Sequence, residues 1–264
     1  MTDLQNTLFD LGGKNAIVTG ASRGIGEAIA RQLTRHGAKT IVSSRKIEAC
    51  EKVSQSINDE MGAEMAHSIA CNISHRPDLE NLVEEARAKL GSIDILIINA
   101  AVNPYYGPSK DITDEQFDKI LNCNIKAAHW LSHLVLPDMV SKKDGAIVMI
   151  SSIGGFVGSG SIGAYNISKA ADLQMVRNLA GEYARHNIRV NAICPGIVKT
   201  YFAEALWKDP AIEKEISNKL PARRFGEPDD IAGAAVFLSS AAGQWMHGQQ
   251  IVIDGGALTS LGGL

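Results

Sequence analysis

The chain contains 264 residues, 45% of them hydrophobic, and carries a formal net charge of −3 with a sequence pI of about 6.2. Such a chain can bury a large core, and we predict one domain over residues 1–264. The weakly acidic balance argues against nucleic acid or an anionic membrane surface as a partner. Since no apolar run approaches the roughly 20 residues that a membrane helix needs, we expect neither kind of partner.

The N-terminal stretch and the cysteines indicate the cellular compartment of the protein. The stretch MTDLQNTLFDLGGK lacks the basic and apolar regions of a signal peptide. The cysteines show no paired spacing, so we predict free thiols in a reducing compartment and a cytoplasmic protein. They are Cys50, Cys71, Cys123 and Cys194. His129 and His133 are four residues apart without an evident third ligand, so we expect a packing or surface role and no metal site.

Short β-branched runs alternate with longer amphipathic stretches along the chain. The runs are NAIVTG, KTIVSS, AHSIAC, IDILIINA, GAIVMIS, IRVNAIC and QQIVIDGG. This alternation predicts βαβ units and a parallel sheet, and continuous apolar strands such as ILII fit a sheet covered on both faces. We therefore predict an α/β fold with a single doubly wound parallel sheet of about seven strands and helices on both faces. Thr113 and Gln116 predict a capping box at the start of a long helix.

A glycine-rich turn joins the first predicted strand to the first predicted helix in KNAIVTGASRGIGEAIARQL. Gly20, Gly24 and Gly26 allow positive φ angles and let backbone N–H groups approach a pyrophosphate at the helix N-terminus. The alternative interpretation is a tight turn without a ligand. The position at the first strand–helix junction favours a dinucleotide site.

The end of the second predicted strand indicates which dinucleotide binds. An NAD site carries an acidic residue about 20 residues beyond the glycine turn, but Ser44 and Arg45 stand there, and Arg23 lies within the turn. Guanidinium groups suit a ribose 2′-phosphate. We therefore expect NADP(H), with NAD(H) less favoured; the alternative is that both arginines are solvated surface charges.

These motifs and several later ones resemble the short-chain dehydrogenase/reductase family over nearly the whole chain. The matching segments are TGASRGIG (19–26), CNIS (71–74), DILIINAA (94–101), NCNIKA (122–127), ISS (150–152), YNISK (165–169) and PGIVKT (195–200). The resemblance implies a Rossmann-type fold, a nicotinamide cofactor and a homotetramer. The segments VSSRK, AAVNPYYG and LWKDP resemble NADP(H)-dependent carbonyl reductases within the family. The last residues, 262–264, lack the basic middle residue of a peroxisomal tripeptide.

Carried onto this chain, the family motifs give two sets of predicted site residues. The predicted catalytic residues are Asn124, Ser152, Tyr165 and Lys169. The predicted cofactor-binding residues are Gly20, Ser22, Arg23, Gly24, Ile25, Gly26, Ser44, Arg45, Asn72, Ile73, Asn99, Ala100, Tyr165, Lys169, Pro195, Gly196, Ile197 and Thr200.

The spacing of Tyr165 and Lys169 predicts a proton-transfer pair. Residues i and i+4 share one face of a helix. A tyrosine has an ordinary pKa of about 10, and we expect the ammonium and an oxidised nicotinamide to lower the Tyr165 pKa towards neutrality. Tyr165 would then serve as general acid or base. Taken alone, such a pair is more often amphipathic surface.

Strand ends and family resemblance supply the other predicted roles. Ser152 ends a strand, where ligands of doubly wound sheets bind, and would hold the substrate oxygen. The resemblance implies that Lys169 binds the nicotinamide ribose and that Asn124 interrupts its helix and holds a water that passes protons to Lys169. Taken singly, Ser152 is more often a turn residue, and Asn124 a cap or a solvated polar residue.

Residues 200–222 predict a short helical lid over the substrate. Its aromatic and apolar side chains, Tyr201, Phe202, Leu206 and Trp207, would face an apolar or aromatic carbonyl compound. The alternative is a surface helix pair with ordinary core contacts.

The predicted function is hydride transfer between NADP(H) and a carbonyl or secondary alcohol substrate, without a metal. One alternative is a 3-oxoacyl-thioester reductase, in which Arg223 and Arg224 meet an acidic carrier protein. Others are an NAD-dependent secondary alcohol dehydrogenase and a non-enzymatic dinucleotide sensor.

Overall fold

A seven-stranded sheet forms the centre of the computed structural model, which describes residues 8–260. Each strand is parallel to its neighbours, in the spatial order β3-β2-β1-β4-β5-β6-β7. The strands are β1 Asn15–Thr19, β2 Lys39–Ser44, β3 Ala66–Ala70, β4 Ile95–Ile98, β5 Gly145–Ile150, β6 Ile188–Pro195 and β7 Gln250–Ile253. The predicted doubly wound parallel sheet is confirmed. The C-terminal tripeptide discussed above lies outside the described residues.

Helices connect the strands and cover both faces of the sheet. They are α1 Gly24–Arg35, α2 Ile47–Met61, α3 Arg76–Leu90, α4 Asp114–Ile120, α5 Ala127–Lys142, α6 Gly163–Tyr183, α7 Pro210–Lys219, α8 Pro228–Ser239 and α9 Ala257–Ser260. No helix within residues 8–260 is long and apolar enough to cross a membrane.

Two buried clusters, one on each face, hold the layers together. Strand β4 contributes to both, because neighbouring residues of a strand point to opposite faces. Ile95 and Ile97 join the cluster that also contains residues of α1, α2 and α8. Leu96 joins the cluster that also contains residues of α3, α5 and α6. The continuous apolar sequence of this strand is therefore explained by burial on both sides.

Local signals in the sequence agree with the observed helix ends. Thr113 Oγ1 accepts from the Gln116 backbone at 3.2 Å and Gln116 Oε1 accepts from the Thr113 backbone at 3.2 Å, which confirms the capping box. The small residues Ala232 and Ala235 of α8 are fully buried where α8 packs on α1. All four cysteines are buried free thiols, as predicted.

The strand order reverses between β1 and β4. In doubly wound sheets a crevice opens beyond the carboxyl ends of the strands at such a point. The residues that follow β1, β4, β5 and β6 therefore define where a site can form.

Candidate active site

The glycine turn after β1 runs close against its neighbours. Gly20 and Gly24 adopt φ angles of +64° and +62°, which glycine tolerates and other residues rarely adopt. A Cβ atom at Gly20 would lie 2.8 Å from Asn99 Nδ2, and one at Gly24 would lie 3.1 Å from Thr200 Cγ2. At Gly26 it would lie 2.6 Å from the same Asn99 nitrogen. The glycines thus let the turn approach the end of β4 and the segment after β6.

Hydrogen bonds from Asn99 fix the turn in this position. Its Nδ2 donates to the carbonyl oxygens of Thr19 at 3.0 Å and Gly20 at 3.1 Å. The Thr19 hydroxyl accepts from the backbone nitrogens of Asn99 at 3.0 Å and Ala100 at 3.2 Å, and donates to Ile97 O at 3.3 Å. Asn99 and Ala100, both predicted to bind the cofactor, therefore lie against the glycine turn.

The ends of β2 and β3 continue the edge beyond the turn. The backbone nitrogen of Ala21 donates to Ser43 O at 3.0 Å, and that of Cys71 donates to Ser44 O at 2.9 Å. Arg45, which follows directly, is exposed and forms no ion pair or hydrogen bond with any side chain in the described range 8–260. A guanidinium in this state can bind an anion.

Arg23, the other predicted phosphate ligand, already has an aromatic partner within the chain. Its Cζ lies 3.8 Å from the centroid of the exposed Tyr201 ring, so it stacks as a cation on an aromatic face. Within the turn, Ser22 and Ile25 are half-buried. This stacking links the glycine turn to the segment predicted as a lid.

Asn72 and Ile73 follow β3 at the same edge. Asn72 Oδ1 accepts from the Ser74 backbone nitrogen at 3.2 Å and from the Ser74 hydroxyl at 2.8 Å, an arrangement that stabilises a turn. Ile73 is half-buried and packs against the second core cluster. The Asn72 side chain therefore shapes the turn after β3.

Helix α6 carries Tyr165 and Lys169 against the end of β5. Both side chains are buried, and Lys169 Nζ lies 5.7 Å from the centroid of the Tyr165 ring. Ser152, two residues after β5, accepts from the Gly154 backbone at 3.0 Å and acts on Tyr165 to lower the pKa of the phenol. The structure therefore brings these three predicted residues together.

Lys169 has partners that the sequence analysis did not name. Its Nζ donates to Ile150 O at 3.0 Å and to Asp172 Oδ2 at 2.9 Å, and Lys169 and Asp172 have side-chain exposures of only 4% and 5%. Burial acts to lower the Lys169 pKa, but Asp172 and Tyr165 act to raise it, and the pKa lies above its ordinary value. The ammonium is thus held between β5 and α6.

In the chain without cofactor the pKa of Tyr165 lies above its ordinary value, whereas the expectation counted an oxidised nicotinamide together with the Lys169 ammonium. Burial raises the pKa of Tyr165, the Lys169 ammonium lowers it, the Asp172 carboxylate raises it, and the hydrogen bond with Ser152 lowers it; the net direction is upward. The expectation counted the ammonium but neither the burial of the phenol nor the neighbouring carboxylate. The phenol therefore holds its proton more firmly than a free tyrosine does.

Asn124 lies in a π-helical stretch, Leu121–Lys126, between α4 and α5. Its Oδ1 accepts from the Val102 backbone at 2.9 Å, and its Nδ2 donates to Val102 O and to Ser168 Oγ, both at 3.0 Å. The Ser168 hydroxyl in turn donates to Tyr165 O at 2.7 Å. Both N–H groups of the amide are used, so the side chain joins the segment after β4 to α6.

The segment after β6 meets the glycine turn through Thr200. Pro195 ends β6, and the backbone nitrogen of Gly196 donates to Ile253 O at 2.9 Å. Trp207 Nε1 donates to Thr200 O at 2.8 Å. Ile197 is half-buried and packs with a small cluster around Leu220 and Phe225.

The predicted lid consists of a 3-10 helix, Tyr201–Leu206, followed by α7. Leu206 and Trp207 pack into the small cluster, so they serve as local core. Phe202 is 57% exposed, and its ring centroid lies 5.8 Å from that of Tyr165. Of the four side chains expected to face substrate, Phe202 is therefore the one in ring contact with Tyr165.

Sequence reasoning missed four polar residues of the site. They are Thr19, Ser151, Ser168 and Asp172. Ser151 Oγ donates to Lys169 O at 2.9 Å, and the others have been described. Asp172 left a readable signal, because a residue three positions after Lys169 on a helix shares its face. The hydroxyl residues left no signal in the sequence, since each donates to a backbone carbonyl group that only the fold brings close to it.

Comparisons with known proteins agree with this architecture. A family model described as enoyl-(acyl carrier protein) reductase matches residues 20–258. Dehydrogenase/reductase SDR family member 4 from Oryctolagus cuniculus is 41% identical over 251 residues, covering 95% of this chain and 96% of that protein. The 5-keto-D-gluconate 5-reductase of Escherichia coli K12 is 33% identical over 256 residues, covering 97% of this chain and 100% of that protein.

A solved structure gives the same result. The gluconate 5-dehydrogenase of Burkholderia cenocepacia, in complex with NADP and tartrate, has a TM-score of 0.89 and 28% identity, covering 96% of this chain and 98% of that chain. The fold and the matches along nearly the whole sequence define a class of oxidoreductases. The chain belongs to the short-chain dehydrogenase/reductase family.

Replacing Gly20 with alanine should destabilise the protein more than replacing Gly62. Both residues have similar φ angles, +64° and +66°, so both variants carry the left-handed penalty of roughly 1–2 kcal/mol. Only at Gly20 would the new Cβ meet Asn99 and Ala100, since nothing lies within 4 Å of a Cβ at Gly62. We expect this crowding to cost roughly 1–3 kcal/mol more, measured as the free energy of unfolding in urea. Equal losses would contradict the close approach.

Proposed function

We propose that the protein is an NADP(H)-dependent oxidoreductase that moves a hydride between the cofactor and a carbonyl or secondary alcohol substrate. The observation that carries the proposal is the meeting of Ser152, Tyr165 and Lys169 at the end of β5, beside the glycine turn that follows β1. A proton donor, a hydroxyl to orient an oxygen and a fixed cation are the groups that carbonyl reduction requires of a protein.

The residues present fit a dinucleotide. The left-handed φ angles of Gly20 and Gly24 shape a turn that leads directly into the N-terminus of α1, where backbone N–H groups suit a pyrophosphate. Arg45, exposed beside the turn, suits a 2′-phosphate, and Arg23 is the second cation of this edge. The presence of NADP in the gluconate 5-dehydrogenase structure supports the same choice. Thr200, against Gly24, and Lys169 would hold the nicotinamide end.

Each catalytic residue has a role that follows from its surroundings. NADP(H), when bound, supplies or accepts the hydride. Ser152 donates a hydrogen bond to the substrate oxygen, and Tyr165 gives that oxygen a proton or removes one. Lys169 has one N–H donor beyond its two protein partners, which suits a ribose hydroxyl. Burial raises the pKa of Tyr165, so the phenol carries its proton at neutral pH and is present in the form that protonates a carbonyl oxygen.

Asn124 would act through the fold. Its side chain holds the segment after β4 against α6, and the surrounding π-helical turn changes the usual ladder of backbone hydrogen bonds. A water that relays protons to Lys169 would therefore be held by backbone carbonyls of this turn.

Two substrate classes have support. Phe202 beside Tyr165, with the exposed Phe156 and Tyr201, supports an aromatic or apolar carbonyl compound. Asn103, directly after Val102, has a buried Oδ1 without a hydrogen-bond partner in the described structure. This acceptor, and the 5-keto-D-gluconate named for one relative, support a hydroxylated ketone as the second candidate.

A thioester on an acidic carrier protein has less support. Arg224 forms an ion pair with Asp230, its Nη2 donating to Oδ1 at 3.0 Å, and Arg223 donates to Asn218 O. Both guanidinium groups are therefore engaged within the chain.

Tyr165→Phe should abolish carbonyl reduction. The ring and its packing remain while the proton donor is lost, so we expect turnover to fall roughly 10²–10⁴-fold. The assay follows NADPH oxidation with 4-nitrobenzaldehyde, 5-keto-D-gluconate and acetoacetyl-coenzyme A, the last testing the thioester alternative. Tyr183→Phe, at the end of the same helix, is the matched control. Full turnover in Tyr165→Phe would refute the mechanism and favour a dinucleotide sensor.

Arg45→Ala should weaken use of NADPH but not of NADH. Loss of one charged hydrogen-bonding partner of a phosphate should lower kcat/KM for NADPH roughly 10–100-fold. Arg76→Ala removes an exposed arginine paired with Glu80 on α3 and serves as control. A wild-type protein that prefers NADH, or a variant that loses both cofactors equally, would contradict the assignment.

The proposal includes a cytoplasmic homotetramer. Strand β7 ends the sheet with Val252 40% exposed, and nearby Trp245 is 93% exposed, which supports burial against other copies. Light scattering coupled to size exclusion should give the mass of four 28.2 kDa chains. Trp245→Glu should reduce that mass if this surface is an interface; a monomeric wild-type protein would contradict the assembly.

A further inference from the structure

The buried ion pair behind Tyr165 carries a further inference. Tyr165, Lys169 and Asp172 follow one another on a single face of α6, at spacings of four and three residues. Lys169 Nζ lies 2.9 Å from Asp172 Oδ2 and 3.0 Å from Ile150 O. Because an ammonium has three N–H donors and no acceptor, both partners act as acceptors. Lys169 Nζ is thereby fixed at the carboxyl end of β5, two residues before Ser152.

Burial makes the carboxylate necessary to this arrangement. An ammonium taken out of water without an opposite charge tends to lose its proton. Asp172 supplies that charge from the same helix, three residues away. The lysine can then remain charged at a depth where only 4% of its side chain is exposed.

The two charges act on Tyr165 with opposite signs. The ammonium favours the phenolate, and the carboxylate favours the neutral phenol. The Tyr165 pKa responds in these directions: after burial, which raises it, Lys169 lowers it and Asp172 raises it. The two effects are linked, because the carboxylate that raises the Tyr165 pKa also keeps charged the lysine that lowers it, and the effect of the lysine is the larger of the two.

Other titratable groups around the pair do not supply a compensating charge. From β6, Cys194 faces Lys169, but burial raises the pKa of its thiol to about 12, so it stays neutral. From the turn after β5, Ser152 offers an uncharged hydroxyl, and from the π-helical stretch Asn124 offers an uncharged amide. Within residues 8–260, Asp172, Tyr165 and Cys194 are the titratable groups that act on Lys169.

We propose that Asp172 is a positioning residue of this site: its carboxylate keeps the buried Lys169 ammonium charged and fixed beside Tyr165, where that ammonium assists proton transfer at the phenol. The inference rests on the proposed function. Asp172 touches Lys169 and acts on Tyr165 through the electrostatic field of the pair.

Asp172→Asn tests this proposal with little change of shape. The amide can still accept from Lys169 but carries no charge. In NADPH-dependent reduction of 4-nitrobenzaldehyde, kcat/KM falls at high pH when Tyr165 loses its proton. Without the carboxylate the buried Lys169 tends to lose its proton, and Tyr165 then loses the larger of the two opposing effects. We therefore expect this alkaline limb to move to higher pH by about one unit in the variant. An unmoved limb, or one that moves to lower pH, would overturn the proposal.

A second measurement does not depend on turnover. Protein labelled with 13Cζ-tyrosine has five tyrosine signals, and the Tyr165 signal is identified by its loss in Tyr165→Phe. Its titration midpoint in the protein without cofactor should lie higher in Asp172→Asn than in the wild type, because Lys169 then no longer carries the charge that favours the phenolate. Equal midpoints would mean that the carboxyl group carries no charge there and would overturn the proposal.

Asp94→Asn is the matched control. Asp94 is also buried and paired with a lysine, Lys142 at 2.5 Å, but it precedes β4 at the amino end of the sheet. Asp94→Asn should lower the thermal midpoint of unfolding and leave unchanged both the alkaline limb of kcat/KM and the titration midpoint of Tyr165. If Asp172→Asn does not fold, Asp172→Ser removes the same charge and should shift both titrations in the same direction.

The outcomes separate the two proposals. Full turnover in Tyr165→Phe would refute the proposed function, whatever the tyrosine titration shows. An inactive Tyr165→Phe together with unmoved titrations in both Asp172 variants would refute only the role of Asp172.

Discussion

The amide of Asn99 joins the two halves of the sheet at the edge where the site forms. Strands β1 and β4 are neighbours in the sheet, although the chain passes through β2 and β3 between them. The strand order reverses at this pair. The hydrogen bonds from Asn99 to Thr19 and Gly20 fix the glycine turn against β4. The rest of the site is built outward from this junction, with Thr200 against Gly24 on one side and Val102 bonded to Asn124 on the other.

Charge is distributed unequally along the edge. The ends of β1 and β2 present the exposed cations Arg23, which stacks on Tyr201, and Arg45. The end of β5 contains a buried cation, Lys169, whose charge is matched by Asp172. Solvated guanidinium groups suit the recognition of a phosphate, whereas a buried matched pair gives a fixed local field. Exposed and buried cations thus lie at different parts of one edge.

The sequence predicted the fold and the meeting of the main site residues because these depend on periodic patterns and on motifs. Runs such as ILII and the glycine turn can each be recognised from a few consecutive residues of the sequence. The Tyr165 pKa could not be predicted in the same way, because it depends on burial and on Asp172, which the motif does not include. The same limit applies to Leu206 and Trp207, whose packing beside Phe225 is set by residues far along the chain. The engagement of Arg223 and Arg224 within their own loop likewise became visible only in three dimensions.

The four cysteines show what burial means for reactivity. All are buried, and burial raises the pKa of each thiol, to about 12 for Cys71 and Cys194. The thiolate is the species that attacks alkylating agents, peroxides and disulfides. At neutral pH the folded chain therefore offers oxidants almost no thiolate, even at Cys194 beside Lys169. The cysteines that line this edge are thus poorly suited to disulfide exchange with surrounding thiols.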